Sequence, residues 1–483
     1  MLPDQFTSLP DLVRIHAGQT PEKVAIIMGE MRVSWQVLDA LTDRVACHLA
    51  VHPAGSVVAI SSPMHPWYLA LWLGALRAGH AVAPLADKLG AEALAMQVAD
   101  SGAVVTFGAD EVAGLLDWLP NTGETPPVRA IDPAAPFNLI YSSGTTGRPK
   151  GIVQPHAMRW AHIQRGAVQG YGADSVTLVS TPLYSNTTLV SVIPTLGLGG
   201  TLVLLPKFDT AAFLALSVAH RVSHAMLVPV QYQRLMADPT FDSHDLSSYR
   251  AKFCTSAPFS AALKAEVLAR WPGGLTEYYG MTEGGGTCIL PCHLHPDKLA
   301  TVGQPAAGSD IRLIDDEGCE LLAGATGEVV GRSPAMMKGY HNLAEASAAA
   351  EWQSPDGLRF IRTGDIGRFD ADGFLTLMDR KKDLIISGGF NVYPSDLEGV
   401  VEGLPGVCEA AVVGVASARW GETPVAFVTV DGPVDAAALL AAANARLGAM
   451  QRLADLRVVE RLPRSEIGKV LKRELRDGYQ TLT

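Results

Sequence analysis

The stretch Tyr141 to Val153, YSSGTTGRPKGIV, holds the chain's densest collection of groups able to grip an anion. Gly144 and Gly147 open backbone angles closed to other residues, so the chain can fold tightly round a phosphate. Ser142, Ser143, Thr145 and Thr146 add hydroxyl donors to the amide donors, and Arg148 and Lys150 add positive charge. The apolar run Phe137 to Tyr141 before it and Gly151 to Val153 after it read as strands. The order G-x-x-G-x-P-K-G departs from the common nucleotide loop, which needs G-x-x-x-x-G-K-[ST] opening directly into a helix. Pro149 has no amide to donate, and no helix start lies under the phosphate. For a bare Gly/Thr cluster, a turn between two strands would be the simpler reading.

Three further strings could do chemistry. Tyr278-Tyr279-Gly280-Met281-Thr282-Glu283 sets planar rings, able to stack on a base, beside a hydroxyl and a carboxylate suited to Mg²⁺. Taken alone it could equally be a strand end that packs two rings. Arg362-Thr363-Gly364-Asp365 ends in a carboxylate after a glycine turn; such an Asp is usually a turn residue, and the alternative is a ribose acceptor. Leu462-Pro463-Arg464-Ser465-Glu466-Ile467-Gly468-Lys469 presents a cation near the chain's end. A carboxylate attacking a phosphate brings two anions together, and one ammonium touching both would offset their repulsion in a dry site. Cys288, Cys292, His293 and His295 form a decoy: C-x₃-C with no second pair is not a usual zinc spacing.

In order and spacing these strings resemble the adenylate-forming superfamily of acyl-CoA synthetases, peptide-synthetase adenylation domains and luciferases. Within it the likeness is to the acyl- or aryl-CoA ligase branch, that of chlorobenzoate-CoA ligase and small-acid CoA ligases. The resemblance covers essentially the whole chain. It implies an ATP-dependent carboxylic acid–CoA ligase that forms acyl-AMP and pyrophosphate, then acyl-CoA and AMP, with ATP, Mg²⁺ and coenzyme A as cofactors. It implies phosphate contacts from Ser142 to Gly147 and Lys150, and an adenine wall from Ser256, Ala257 and Pro258, where Thr255-Ser256-Ala257 stands for a frequent Gly-Gly-Ala. It gives Tyr279 adenine stacking with Tyr278, Gly280 and Met281 around it, Thr282 an α-phosphate contact, Glu283 the metal, and Asp365 and Arg380 the ribose. Ile361 stands where an aromatic is frequent. Lys469 becomes the catalytic cation and Lys382 the hinge. Gly388, Gly389 and Trp420 become the coenzyme A contacts, and Trp160, Tyr184, Ser185, Asn186, Gly280 and Gly285 the acyl pocket. Ser185 and Asn186 would suit a hydroxyl on a small aliphatic acid, branched or hydroxylated; an aromatic acid is the other reading. Loading of a separate acyl-carrier protein, and a non-catalytic nucleotide-binding paralogue, stay open as alternatives. Lys469 also sits in a form that protein acetyltransferases modify in related ligases.

The elements that must position these groups are of several kinds. At 483 residues the chain should hold two to four domains, and 48% hydrophobic against 18% charged residues leaves ample core. A net charge of −11 argues against a general nucleic-acid or membrane-surface binder. Six scattered cysteines fit reduced thiols and a cytoplasmic location, and MLPDQFTSLPDLV lacks the pattern of a secretory signal. The run Thr187 to Pro206 is broken by Pro194 and three glycines, which predicts a buried helix, a turn and a buried strand rather than a membrane span. Residues 55–108 and 156–254 alternate strand and helix, the rhythm of parallel sheets. About 299–378, short strands between Gly/Asp turns suggest a small antiparallel barrel. The expected fold is therefore α/β: a large N-terminal domain, 1–381, of two βαβ-type sheets plus that barrel, then a small mobile C-terminal α+β domain, 383–483, hinged at Lys382.

Overall fold

The computed structural model describes residues 5–121, 123–142, 150–322, 324–387, 390–417, 419–448, 451–464 and 470–480. The fold is mixed α/β with several sheets. The chain forms two compact units: 1–311 with 331–361, and 312–330 with 362–483. Lys382 lies inside the second.

The first unit contains two sheets. The smaller runs in the order Gly339–Tyr340, Lys150–Pro155, Pro136–Ser142, Ala81–Leu85, Val57–Ser61, Ala103–Phe107. Its last three strands are parallel, and Pro136–Ser142 and Lys150–Pro155 form an antiparallel pair with Ser142 opposite Lys150. The larger has nine strands, among them the parallel run Val176–Val179, His224–Leu227, Ala251–Cys254 and Gly274–Tyr279. The predicted βαβ rhythm is present in both.

The helix Pro66–Arg77, PWYLALWLGALR, is apolar nearly all round, and every one of its residues is buried. Such a helix needs protein on all sides. Pro66 starts it without losing a hydrogen bond, and the His65 Nδ1 accepts from the Trp67 amide. A Cβ on Gly74 would lie 2.4 Å from the Val45 side chain, so the glycine sets how closely the Trp35–Leu49 helix packs. Arg77 closes the helix on Asp39 at 2.6 Å and Asp43 at 2.8 Å. The run after Thr187 becomes the helix Asn186–Gly197 and the strand Thr201–Leu204; the break falls at the glycines, while Pro194 lies inside the helix. Among the described residues no helix is long and apolar enough to cross a membrane.

The second unit is built on a five-stranded sheet in the order Phe390–Val392, Ile385–Ser387, Gly421–Val430, Val407–Ser417, with Asp455–Val458 pairing Gly421–Val430. Alternation along its long strands buries both faces. Val412, Ala426 and Val428 join Leu397, Val401 and Leu439 on one side; Ala411, Val413, Val425 and Phe427 join Leu462 and Leu475 on the other. The strands of the expected barrel region, Asp310–Ile314, Thr326–Arg332, Glu351–Gln353, Arg359–Phe369 and Leu375–Arg380, are all present, and the unit boundaries fall within three of them.

Candidate functional site

In the first unit the parallel strands Ala251–Cys254 and Gly274–Tyr279 end side by side, with Cys254 opposite Glu277. Ligands of open α/β sheets bind beyond such carboxyl ends. Thr255 Oγ1 donates to the Tyr278 carbonyl at 3.0 Å, tying the two strand ends together. Ser256, in the expected adenine wall, has φ +84°, a left-handed angle that favours glycine. Its hydroxyl pairs with Thr187 Oγ1 at 2.5 Å, which holds the side chain in place. The departure from Gly-Gly-Ala thus falls on a position where a side chain costs strain.

Glu283 stands at a meeting of three segments. Its carbonyl accepts from the Met337 amide at 2.8 Å, and its carboxylate Oε1 accepts from the Tyr340 hydroxyl at 2.9 Å. The Lys150 ammonium lies 4.9 Å from the centre of the Tyr340 ring, so one side chain links the end of the phosphate loop to the proposed metal carboxylate. Tyr340 reaches this place because it pairs with Ile152, two residues past Lys150. Gly284, at φ +75°, allows the contact: a Cβ there would fall 2.0 Å from the Ala335 carbonyl oxygen. The loop residues 143–149 lie outside the described residues. Tyr141 anchors its entry strand by donating to Asp100 at 2.6 Å.

Beneath the Tyr278–Glu283 segment runs a buried polar chain. Gln154 donates to the Thr282 carbonyl at 2.6 Å and to Asn186 Oδ1 at 3.3 Å. Its own carbonyl accepts from Asn138 at 2.9 Å and from Arg159. Arg159, 1% exposed, also donates to Asn138 and contacts His162 Nδ1 at 3.2 Å. Burial pulls the Arg159 pKa down to about 9, and His162 well below its ordinary value, with Arg165 and Arg159 adding to the effect.

Of the residues expected in the acyl pocket, Asn186 joins this chain, Ser185 is buried at the start of the Asn186–Gly197 helix, and Tyr184 is half-buried. Trp160 packs edge-on against Phe6 at 6.1 Å and belongs to the main core. Tyr278 stacks on Phe253 at 5.6 Å. Gly285, at φ +94°, lies against the Gly331 carbonyl and Ile361. Cys288 and Cys292 are buried free thiols on a strand and its end, and His293 Nδ1 faces the Leu275 carbonyl at 3.1 Å. Among the described residues no three His, Cys, Asp or Glu side chains form a metal-holding group. A Mg²⁺ shared with phosphates needs only one or two protein carboxylates, which Glu283 fits.

In the second unit Asp365 and Arg380 are register partners, and their side chains pair at 2.6 Å. Gly364, at φ +69°, lies inside the strand Arg359–Phe369, so Asp365 stands on a strand and not after the glycine turn expected from the sequence. Arg362 grips Glu328 and Lys381 bridges Glu328 and Asp316, so the strands carrying the expected ribose groups are cross-tied. Lys382 is exposed. Trp420 is 39% exposed, with the Arg419 guanidinium 4.7 Å from its ring centre. Gly388, Gly389 and Lys469 lie outside the described residues. Arg464 and Val470 form an antiparallel bridge, and Lys472 pairs with Glu398 at 2.8 Å.

The AMP-binding enzyme family matches residues 13–341, and its C-terminal domain matches residues 396–469. The chain belongs to the AMP-binding enzyme family. Among members of this adenylate-forming family, the feruloyl-CoA synthase of an Amycolatopsis species is 35% identical across 96% of this chain and 97% of its own. The indoleacetate–CoA ligase of Aromatoleum aromaticum is 32% identical across 97% of each. The structure of ATP-bound MatB from Rhodopseudomonas palustris superimposes with a TM-score of 0.88 at 28% identity, covering 99% of this chain and 100% of that one. Tyr340, Gln154 and Arg159 carry no local motif; only their pairing partners mark them.

Proposed function

We propose that this member of the family is an ATP-dependent carboxylic acid–CoA ligase, an AMP-forming acyl-CoA synthetase. A carboxylate is a poor acylating agent because its oxide leaves badly. Attack of the acid on the α-phosphate of ATP gives acyl-AMP and pyrophosphate, so AMP becomes the leaving group. The coenzyme A thiol then attacks the acyl carbon and releases AMP.

The observation that carries this reading is the Lys150–Tyr340–Glu283 link beside the strand ends at Ser256 and Tyr279. It supports the reading because Lys150 and Glu283, the expected phosphate cation and metal carboxylate, both contact Tyr340. In this reading Ser142 to Gly147 and Lys150 hold the phosphates, Ser256 to Pro258 and Tyr279 hold adenine, and Asp365 and Arg380 hold ribose. Glu283 and Thr282 would bind Mg²⁺ and the α-phosphate; the ion supplies charge neutralisation on the phosphate oxygens. Lys469 offsets the repulsion between attacking carboxylate and phosphate. Gly388, Gly389 and Trp420 serve the coenzyme A arm, and Lys382 is the hinge between the half-reactions.

The relatives' names point to aromatic acids, feruloyl and indoleacetyl, and an acid of that size or a small aliphatic one suits this reading best. Acetylation of Lys469 would remove its charge and stop adenylation.

ATP–pyrophosphate exchange over a panel of acids tests the first half-reaction. Lys469→Ala should cut it by roughly 10²–10³, the usual loss for one aligned charge in a transition state. Exchange in Lys469→Ala equal to the parent would overturn the mechanism. Competition between coenzyme A and an acyl-carrier protein for the supplied acyl adenylate identifies the acceptor.

A further inference from the structure

The helix His156–Val168 carries four cationic or titratable side chains, His156, Arg159, His162 and Arg165, at a spacing of three. Residues three apart lie on one helix face. That face runs along the Tyr278–Glu283 segment: Arg159 reaches Thr282 through Gln154, and Arg165 lies over Tyr278, its guanidinium carbon 5.3 Å from the ring centre. Arg159 is fully engaged with amide and imidazole groups. Arg165 is different. It is largely covered, and among the described residues its guanidinium has no hydrogen-bond acceptor and no carboxylate, only the ring below it. Its nitrogens are also not sealed away from solvent as orphaned buried atoms. Burial lowers its pKa from the ordinary value, with the Tyr278 hydroxyl acting the other way. A partly covered cation whose nitrogens still reach solvent and meet no carboxylate among the described residues is open to an arriving anion.

Resting on the ligase reading above, we propose that Arg165 is a specificity residue that binds a second carboxylate, at the far end of the acid from the one that is adenylated. The substrate class is then dicarboxylic acids, aliphatic or with a ring between the two carboxylates. The reacting carboxylate lies near Thr282 and the other end above Tyr278. Thr282 lies four positions past Tyr278, at most ~14 Å of chain, which favours a short diacid. The guanidinium fork suits a planar carboxylate in two-point contact. The Tyr278 ring beneath it, itself stacked on Phe253, fixes the height of that contact.

The test compares dicarboxylic acids of graded length with their monomethyl esters, which keep the shape and lose one charge. Pyrophosphate release is measured for the parent, Arg165→Met and Arg165→Lys. The parent should favour each fitting diacid over its half-ester by tenfold or more in kcat/KM. Arg165→Met should abolish or invert that ratio through KM for the diacid, leaving KM for ATP and the rate with half-esters near parental. Arg165→Lys should keep part of the preference. A parent that favours half-esters, a ratio unmoved in Arg165→Met, or a uniform rise in KM for ATP would each overturn the proposal while leaving the ligase reading intact. Absence of pyrophosphate release with every acid would instead overturn the ligase reading.

Discussion

Tyr340 donates its hydroxyl to Glu283 at 2.9 Å although 57 residues separate them in the chain. The contact orients the carboxylate proposed to hold the metal, and the same ring carries the Lys150 ammonium on its face. A neutral donor brings no positive charge that would compete with a cation for the carboxylate. Burial and the neighbouring Glu283 push the Tyr340 hydroxyl pKa up, so it stays a donor throughout the neutral range.

Tyr340→Phe separates the two roles, because phenylalanine keeps the ring under Lys150 and removes only the hydroxyl. A hydrogen bond to a charged group is worth about 1.5–3 kcal/mol. The variant should therefore lose roughly tenfold or more in kcat/KM for MgATP, read by pyrophosphate release across a Mg²⁺ titration. Added Mg²⁺ should recover part of the loss. Unchanged Mg²⁺ dependence would show that the contact only packs.

Ser256 is held at a left-handed angle by its bond to Thr187. Ser256→Ala removes the bond and keeps the strain, so it should destabilise by about 1 kcal/mol. Ser256→Gly removes both; relief of roughly 1–2 kcal/mol of strain offsets the lost bond. Its urea midpoint should stay near the parent's, and a glycine variant weaker than the alanine one would refute the strain argument.

Lys264 and Glu277 form an ion pair at 2.5 Å, with side chains 2% and 6% exposed. Lys264 also donates to the Leu299 and Thr301 carbonyls. Lys264→Met strands a buried carboxylate and should cost about 3–5 kcal/mol, whereas replacing both by apolar residues should cost less. Burial raises the Glu277 pKa from 4.5 to about 7, against the pull of Lys264. The folded state then holds its proton more tightly than the unfolded state. The associated stability is complete below pH 4.5 and lost as pH rises through about 7. Relative to Glu277→Gln, the parent's unfolding free energy should fall across that window and level off above it; parallel pH profiles would refute this.

Lys472 lies three residues past the proposed catalytic Lys469 and pairs with Glu398, which also accepts from the Val412 amide at 2.7 Å. Burial lowers the Lys472 pKa but the facing Glu398 and Asp379 outweigh it, so the net shift is upward. Lys472→Met should slow acyl-adenylate formation several-fold by loosening the segment that carries Lys469. Thioester formation from supplied acyl adenylate should change less. Equal losses in both half-reactions would point to general unfolding of the unit instead.

Much of the chemistry was legible in the sequence because it is written in short contiguous strings. A phosphate loop needs glycines and hydroxyls next to one another, and Tyr278 to Glu283 needs its order along one strand end. The βαβ rhythm and the broken run after Thr187 were legible for the same reason, since helix and strand periods are local. Other features were not. Which residue of the His156–Val168 helix lies over Tyr278 was one of them: it is Arg165, while Trp160 packs with Phe6, because a helix turns each successive residue by about 100°.

The sequence by itself determined the family's chemistry, the secondary structure around it and which glycines and hydroxyls could surround a phosphate. Only the tertiary structure decided that Tyr340 would meet Glu283, that Gln154 would carry Arg159 to Thr282, and that Arg165 would meet no counter-charge among the described residues. The reason is physical. Sheet pairing and helix packing join residues far apart in the chain, so which side chain meets which depends on register and rotation that no local string encodes.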